Sequence, residues 1–327
     1  MTAINNKPQF VNNFNFSTFV ILMISIIFAL LIGGGIYGYG TDFYAAYHKP
    51  NLVWGGIFDR LGYRVATLSI NGIHIGVQIV TFFLALSSGL LIREHIKFKQ
   101  SFSLIFFILL YLTAIHTWPI IMSTTNGMRQ GLSMSFVFMA LISSSRKNYF
   151  WMIFLSLLAI FMHKSGLLLV AIVGFSAVVN NLLTSFSPSS KTIINFLIGM
   201  LSFIVAYLFF DIAGLNEENK PSKIIGGDFR GAFIFIGFVY IVLSFFFRDI
   251  LSNSFNLTLY YFSFIAPSLL MNGLNWEYER LGMMMLIPYI LSFGSLLNRT
   301  SYQIYLILTF LLLFLLTIFT GMYASLR

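Results

Sequence analysis

Long apolar stretches recur along almost the whole chain, and they constrain its fold more than any other feature of the sequence. A helix needs about 20 apolar residues to cross the hydrocarbon core of a bilayer, and most of these stretches approach that length. The stretches cover Phe16–Gly35, Ile70–Ile92, Phe102–Trp118, Met128–Ile142, Tyr149–Met162, Gly166–Val179, Thr192–Phe210, Gly231–Phe247, Phe255–Leu274, Leu281–Leu297 and Tyr302–Met322. The pattern predicts an all-α, polytopic integral membrane protein with about eleven transmembrane helices. It also predicts a single transmembrane domain over residues 1–327.

Composition supports the same class and excludes several others. Of the 327 residues, 58% are hydrophobic and only 9% are charged, whereas charged residues make up roughly a quarter of an ordinary soluble protein. These fractions exclude a soluble globular enzyme and a disordered regulator. The net charge of +9 comes from only 19 Lys and Arg against 10 Asp and Glu. Membrane proteins place such cations for orientation, so we expect no nucleic-acid partner. The chain has no cysteine and hence no disulfide or thiolate nucleophile.

The distribution of Lys and Arg predicts that the N-terminus lies inside the cell. The first apolar stretch is too long for a signal-peptide core, so we interpret it as a retained anchor in membrane lipid. If Lys7 is cytoplasmic, the loops on its side carry nine cations and two acids (nine minus two, +7), and the other loops carry ten and eight (+2). The first set is Lys7, Arg93, Lys97, Lys99, Arg146, Lys147, Lys191, Arg248 and Arg299, opposed by Glu94 and Asp249. Because cytoplasmic loops carry the excess of cations, the C-terminus is expected outside.

Most of the remaining polar side chains then fall on the outer side of the membrane. Two long polar gaps, at about residues 37–69 and 212–230, are the predicted outer loops. The outer polar residues are Asp42, His48, Arg60, Arg64, His116, Asn126, Arg129, Gln130, His163, Lys164, Asp228, Arg230, Glu277 and Arg280. An outward-looking active face has no access to cytoplasmic ATP or nucleotide sugars, and no Walker-type glycine loop is present. We therefore expect no cofactor.

The most informative motif is residues 124–131, which read Thr-Thr-Asn-Gly-Met-Arg-Gln-Gly. Asn126, Arg129 and Gln130 stand at i, i+3 and i+4, so they share one face of a helix. A guanidinium presents a planar fork of donors that suits phosphate oxygens, and a helix N-terminus adds unpaired N–H groups. The motif therefore predicts a phosphate-binding patch. The alternative is an interfacial Arg129 that extends to lipid headgroups.

A second candidate, His163-Lys164-Ser165, interrupts the apolar stretch that begins at Tyr149. A helix over Tyr149–Met162 reaches only about 21 Å, against a hydrocarbon core of roughly 30 Å. His163 and Lys164 are therefore expected within the membrane slab or a water-filled vestibule, where polar groups are costly and often functional. His163 suits a base, and Lys164 suits a point cation against phosphate. The alternative is a His163 that bonds a neighbouring helix.

Two further outer segments carry candidates. Glu277 and Arg280 lie three apart in a short turn, which predicts either an ion pair at the mouth of a site or an ordinary solvated loop. The segment from Gly38 to His48 is rich in Gly and aromatic residues, which suits contact with a sugar, and we favour a functional role for Asp42. Arg60 and Arg64 are better explained as cations of an interfacial amphipathic helix.

No metal site is expected. The three histidines outside the motifs share no metal-ligand spacing with a carboxylate. They are His74, His95 and His116.

These motifs together resemble the EpsG/Wzy-type family of bacterial polysaccharide polymerases. The resemblance rests on residues Gly40–Tyr44 after the first apolar stretch, on Thr125-Asn126-x-x-Arg129-Gln130-Gly131, on His163-x-Ser165 and on Glu279-Arg280 before a late stretch. The Asn-x-x-Arg-Gln and His-x-Ser pair is its specific part. One departure is clear: the family often carries a Glu-Pro-like acidic element after the first motif. Here residues 51–54 read Asn-Leu-Val-Trp, and the nearest acid is Asp59.

The resemblance implies a glycosyltransferase on the outer, periplasmic or extracellular face of the bacterial cytoplasmic (inner) membrane. Its donor and acceptor would be oligosaccharide repeat units linked through pyrophosphate to undecaprenol, and a flippase and a chain-length regulator are candidate partners. Arg129 and Arg280 would hold the pyrophosphate, with Lys164 assisting, because charge grows on that leaving group in the transition state. His163 would be the base or would position the acceptor, and Asp42 would orient the sugar or the base. Asn126, Gln130 and Glu277 would complete the substrate contacts.

Three other functions remain open from the sequence. An O-antigen ligase uses the same donor but usually has a larger outer loop. A transporter or flippase for the lipid-linked unit would be expected to carry repeats and broken helices at the midplane. Neither is evident in the sequence, although the stretch Tyr149–Val179 is interrupted. A structural membrane subunit leaves the one-sided placement of the polar residues unexplained.

Overall fold

The computed structural model describes residues 7–48, 57–71, 73–95, 102–212, 230–247, 251–271, 276–296 and 302–319. These residues form helices with a single two-stranded hairpin, which confirms the predicted all-α polytopic membrane class. The helices are α1 Lys7–Gly33, α2 Ile57–Ala66, α3 Gly76–His95, α4 Phe102–Ile115, α5 Trp118–Thr125, α6 Met128–Ser145, α7 Tyr149–Met162, α8 Ser165–Leu182, α9 Pro188–Ile212, α10 Arg230–Phe246, α11 Ser254–Met271, α12 Trp276–Leu296 and α13 Tyr302–Phe319. A π-helical turn covers Phe43–Tyr47, and the hairpin pairs β1 Ser69–Ile70 with β2 Ile73–His74.

Four of the described helices are long and apolar enough to cross a membrane: Phe16–Gly33, Gly76–His95, Ser165–Leu182 and Pro188–Leu208. A fifth crossing is reached if the bent pair α4–α5 counts as one span. Shorter apolar helices lie at Tyr149–Met162, Ile234–Phe246, Met285–Gly294 and Ile304–Leu315. The count of about eleven spans and the inside location of the N-terminus stay predictions.

Most predicted spans coincide with a helix, and α7 has the predicted bounds of Tyr149–Met162. The span Ile70–Ile92 was wrong at its start, because its first residues form the β hairpin and α3 begins only at Gly76. Asn71 in the hairpin turn has a φ of 51°, a left-handed conformation that Asn tolerates and that no helix contains.

The span Phe102–Trp118 coincides with α4 except for its last three residues, and the sequence did not predict the short helix α5 that follows it. Residues Leu104–Ile115 and Trp118–Thr125 meet at an angle of 54°. Thr117 between them is extended, and Pro119 lies in the first turn of α5. Proline has no N–H to donate to a preceding turn and is favoured in the first turn of a helix, which suits the start of a new helix here.

The chain divides into two compact units. Unit 1 contains Met1–Met139, Phe161–His163 and Gln303–Arg327. Its central helix is α3, which packs against α1, α2, α4 and α5. A Cβ at Gly89 of α3 would lie 2.9 Å from Ile21 of α1 and from Tyr111 of α4. Glycine therefore allows these helices to approach closely, as is common in membrane interiors.

Unit 2 contains Ala140–Ile160 and Lys164–Tyr302, and its central helix is α11. This helix packs against α8, α9, α10 and α12. Side-chain hydrogen bonds join these helices: the hydroxyls of Tyr240 and Ser292 lie 2.7 Å apart, and Ser292 donates to Asn256 at 3.0 Å. Such bonds hold membrane helices together where apolar burial contributes little. The single transmembrane domain stays a prediction.

Candidate functional site

The helix α2 lies in the first predicted outer loop and has two distinct faces. Tyr63 and Ala66 are buried and Arg60 and Arg64 are exposed. The inward residues, Asp59, Gly62, Tyr63 and Ala66, recur at the three- and four-residue spacing of one helical face. The structure agrees with the interpretation of Arg60 and Arg64 as the outward cations of an amphipathic helix.

The inward face of α2 meets Arg129, the second residue of α6. The Asp59 Oδ1 atom lies 3.0 Å from Arg129 Nη1, and the two side chains are 13% and 19% exposed. The Arg129 Cζ atom lies 3.8 Å from the centroid of the Tyr63 ring, a distance at which a cation is attracted to the face of the ring. Arg129 is therefore held by one carboxylate and one aromatic face from successive turns of α2.

The π-helical turn supplies the third contact to Arg129. Arg129 Nε donates to the hydroxyl oxygen of Tyr47 at 3.4 Å. Burial raises the pKa of Tyr47, and the neighbouring guanidinium opposes that rise, so the tyrosine is a neutral hydroxyl near pH 7. We call Asp59, Tyr63 and Tyr47 together the arginine cage.

The arginine cage fixes the guanidinium without using all its donors. Guanidinium has five N–H donors, and the contacts described above engage Nε and Nη1. The Nη2 atom makes neither contact, Nη1 has a second N–H, and the side chain keeps partial access to solvent. The edge formed by Nη1 and Nη2 can therefore bind an oxyanion bidentately.

Arg129 follows a tight connection between α5 and α6. Asn126 ends α5, and its N–H bonds to the carbonyl of Met122 at 2.9 Å. A Cβ at Gly131 would lie 2.4 Å from the carbonyl oxygen of Ser123, so only glycine lets α6 fold back this closely onto α5. This geometry differs from the predicted single helical face. Asn126 belongs to the preceding helix, and Gln130 is only 4% exposed, whereas Arg129 points toward α2.

Asn126 instead joins the Arg129 turn to the first outer segment. Its Oδ1 atom accepts the backbone N–H of Asp42 at 2.9 Å and the Thr41 hydroxyl at 3.5 Å. A Cβ at Gly40 would lie 2.6 Å from the Cβ of Asn126, which explains why glycine stands there. The structure thus brings Asp42, Asn126 and Arg129 into one neighbourhood.

His163 lies at the end of α7 and is 7% exposed. The segment before it contacts α2, because a Cβ at Gly62 would lie only 2.0 Å from the carbonyl oxygen of Met162. The inward face of α2 therefore contacts both Arg129 and the residue that precedes His163. The location of His163 within the membrane slab or a water-filled vestibule stays a prediction.

The remaining predicted site residues belong to unit 2. Lys164 is exposed and precedes the first turn of α8. Glu277 and Arg280 lie in the first turns of α12, and their side chains are outside the described part of the structure. Asp228 also lies outside the described residues.

Three residues of the site were missed from the sequence: Asp59, Tyr47 and Tyr63. In the sequence, Asp59 stands out only as the nearest acid after the first motif. A signal for it was present, since Asp59 and Tyr63 stand at i and i+4 on a helix whose other face carries the arginines. Tyr47 had no comparable signal, because its contact with Arg129 depends on the π-helical turn.

The described residues contain no group of three or more His, Cys, Asp or Glu placed to hold a metal ion. What they do present is an ordered arginine at the junction of α2, the π-helical turn and the α5–α6 connection. The fold and this site define a multi-pass helical membrane protein with a candidate anion-binding centre.

The model of the EpsG family matches residues 14–326, nearly the whole length, and the chain belongs to the EpsG family. Comparison with curated proteins and with solved structures finds no match. At the general level, membership of this family implies a polysaccharide polymerase-type, glycosyltransferase-like function.

Proposed function

We propose that this protein is a polysaccharide polymerase that joins lipid-pyrophosphate-linked oligosaccharide repeat units on the outer face of the bacterial cytoplasmic membrane. The observation that carries the proposal is the arginine cage, which orients Arg129 and leaves one edge of its guanidinium for an anion. Membership of the EpsG family supports the same class of reaction.

The reaction is a glycosyl transfer. A hydroxyl of the acceptor sugar attacks the anomeric carbon of the donor, and the bond between that carbon and the pyrophosphate oxygen breaks. The bonding electrons leave with the lipid pyrophosphate, so negative charge grows on it in the transition state. Arg129 is placed to offset that charge, and a pre-oriented donor does so without reorganisation.

The proton of the acceptor hydroxyl needs a base. His163 is our first candidate, because it is buried beside the segment that contacts α2. Asp42 is the second candidate, because Asn126 ties its backbone to the turn before Arg129. Lys164, Arg280, Glu277 and Gln130 stay predictions of further substrate contacts that rest on the sequence.

The first test is the size profile of surface glycan in a strain that lacks the gene. A polymerase predicts loss of the ladder of chain lengths while a single repeat unit remains attached. Loss of every attached unit would instead indicate the ligase or flippase alternatives, and an unchanged ladder would contradict all three.

The second test addresses Arg129 itself by complementing that strain. Removing one electrostatic stabiliser typically costs about 10²–10³ in rate, so Arg129→Ala should abolish the ladder at equal protein level. Arg129→Lys should not restore it, because a point charge lacks the planar fork. The matched control is Arg60→Lys, which changes an exposed cation on the outer face of α2. A wild-type ladder with Arg129→Ala would contradict the assignment.

A further inference from the structure

An aromatic cluster lies beside the arginine cage and has no role in holding Arg129. The rings of Tyr39 and Phe43 are stacked, with centroids 4.4 Å apart and an angle of 19° between their planes. Tyr44 stands edge-on to both, at 6.3 Å and 85° from Tyr39 and at 5.4 Å and 83° from Phe43. The Tyr39 hydroxyl donates to the carbonyl of Gly33 at 2.7 Å, which fastens the cluster to the end of α1.

Tyr44 is the exposed member of this cluster. It is 54% exposed, whereas Phe43 beside it is 4% exposed. His48 lies near both rings, at 5.7 Å from Phe43 and 6.3 Å from Tyr44. Neighbouring rings therefore constrain the Tyr44 side chain while about half of its surface stays open.

The composition of this segment does not suit contact with lipid headgroups. Residues 39–48 contain Asp42 but no Lys or Arg, whereas α2 exposes Arg60 and Arg64. Interfacial helices carry Lys and Arg on their polar face, because cations are attracted to anionic headgroups. By this criterion α2 resembles an interfacial helix, whereas the Tyr44 side of the π-helical turn lacks the cations that would attract anionic headgroups.

The position of the cluster relative to Arg129 indicates which ligand Tyr44 is placed to meet. Tyr44 lies between two residues that contact the Arg129 turn: the backbone N–H of Asp42 donates to Asn126 Oδ1 at 2.9 Å, and the Tyr47 hydroxyl accepts from Arg129 Nε at 3.4 Å. Tyr47 is buried and Tyr44 is exposed, so the turn directs one ring to Arg129 and the other outward. A sugar attached to an anion on Arg129 is therefore placed to extend toward Tyr44. π-helical turns also occur frequently at functional sites.

We propose that Tyr44, flanked by Asp42 and His48, binds the pyranose ring that is attached directly to the pyrophosphate held by Arg129. This inference rests on the proposed function, which it deepens by locating the first donor sugar. The C–H groups on one face of a pyranose carry partial positive charge and pack against the negative face of an aromatic ring. The carboxylate of Asp42 and the imidazole of His48 can accept or donate hydrogen bonds at the sugar hydroxyls.

The experiment measures polymerisation by the purified protein in liposomes with a lipid-pyrophosphate-linked repeat unit. Tyr44→Ala should raise KM for this substrate about tenfold, which corresponds to about 1.4 kcal/mol, and should leave kcat within about twofold. Tyr44→Phe keeps the ring face and should retain a wild-type KM. The matched control is Ile36→Ala, since Ile36 is 56% exposed just before this segment and should leave KM unchanged.

Two outcomes would overturn the sugar-binding role. An unchanged KM in Tyr44→Ala means that the ring contributes nothing to binding. An equal rise of KM in Ile36→Ala and Tyr44→Ala means that the whole segment acts through its insertion into the membrane interface.

A second measurement separates this inference from the proposed function. Saturation-transfer NMR with the free repeat-unit oligosaccharide, which lacks lipid and pyrophosphate, reports sugar contact without catalysis. We expect saturation to be transferred from the protein to the sugar protons in the wild type and in Arg129→Ala. In Tyr44→Ala this transfer should be lost. Polymerisation that survives Arg129→Ala while transfer still depends on Tyr44 contradicts only the assignment of Arg129. Saturation transfer that is unchanged in Tyr44→Ala contradicts only the proposed binding of the sugar by Tyr44.

Discussion

Asp59 Oδ1 lies 3.0 Å from Arg129 Nη1, with both side chains more than four-fifths buried. Removing one partner of a buried ion pair strongly destabilises the folded protein, because the other charge is left without compensation. The pair allows two opposite roles for Asp59. It either positions Arg129 for the substrate, or it competes with the substrate anion for the guanidinium.

The substitution Asp59→Asn distinguishes these roles because Asn keeps an oxygen acceptor but removes the charge. If Asp59 positions Arg129, we expect kcat/KM for polymerisation to fall about tenfold, or about 1.4 kcal/mol. If it competes, kcat/KM should rise. Liposome assays at matched protein content provide the measurement. Arg60→Gln, on the exposed face of the same helix, should leave kcat/KM at its wild-type value.

The contact of Arg129 with Tyr63 predicts a dependence on the ring rather than on the hydroxyl. The guanidinium carbon lies 3.8 Å from the ring centroid, and cation–π contacts contribute about 0.5–2 kcal/mol. Tyr63→Leu should therefore reduce polymerisation about 2- to 30-fold, whereas Tyr63→Phe should stay at about the wild-type level. An equal loss in both variants would show that the hydroxyl matters and the ring face does not.

The described helices were largely predictable from the sequence, because long apolar stretches leave a chain in lipid few alternatives to the helix. The errors lie where hydropathy carries no information. The left-handed conformation at Asn71 forms a hairpin inside an apolar stretch, and Pro119 begins the short helix α5 just after a predicted span. Both features depend on backbone geometry, to which a mean hydropathy is insensitive.

The candidate site was predictable only in part. The sequence motifs indicated Asp42, Asn126 and Arg129, and the structure places these three near one another. Asp59 and Tyr63 were missed because their contact with Arg129 joins α2 to α6, and nothing in the sequence specifies that pairing. Asn126 and Arg129 form a recognisable motif because they lie three residues apart in the sequence. Asp59 and Tyr63, which hold Arg129, come from a distant segment.

The environment of His74 predicts a pH-dependent stability. Burial lowers the pKa of His74, and the neighbouring His48 lowers it further, although the bond between Nε2 and the carbonyl of Tyr47 at 3.2 Å opposes the shift. The unfolded chain binds this proton near the ordinary pKa of about 6.5, whereas the folded protein binds it only at lower pH. Between these two values the unfolded state holds more protons, so the free energy of unfolding falls as the pH falls.

We therefore expect the Tm of the wild type in nanodiscs to decrease more than that of His74→Gln when the pH is lowered from 7.5 to 5.0. His48→Gln should show an intermediate decrease, because it removes one of the causes of the lowered pKa of His74. Parallel Tm curves for the wild type and His74→Gln would contradict the predicted role of this histidine. Thermal unfolding followed by intrinsic fluorescence provides the measurement.

The contact of Gly62 with Met162 makes the strongest steric prediction. A Cβ at Gly62 would lie 2.0 Å from the Met162 carbonyl oxygen, and backbone atoms cannot move aside as the end of a flexible side chain can. Alanine normally stabilises a helix interior relative to glycine by roughly 0.5–1 kcal/mol, so helix propensity alone predicts a higher Tm for Gly62→Ala. We expect the clash to outweigh propensity, lowering the Tm and reducing polymerisation by separating α2 from the segment that ends at His163.

Gly174 in α8 provides the matched control, because nothing lies within 4 Å of a Cβ built at that position. Gly174→Ala should gain the helix propensity without a clash, and its Tm should equal or exceed that of the wild type. Comparing the two alanine variants removes the propensity contribution from the Gly62 result. If both variants show the same Tm and the same activity, α2 does not press against the Met162 carbonyl, and its role in positioning the His163 segment is excluded.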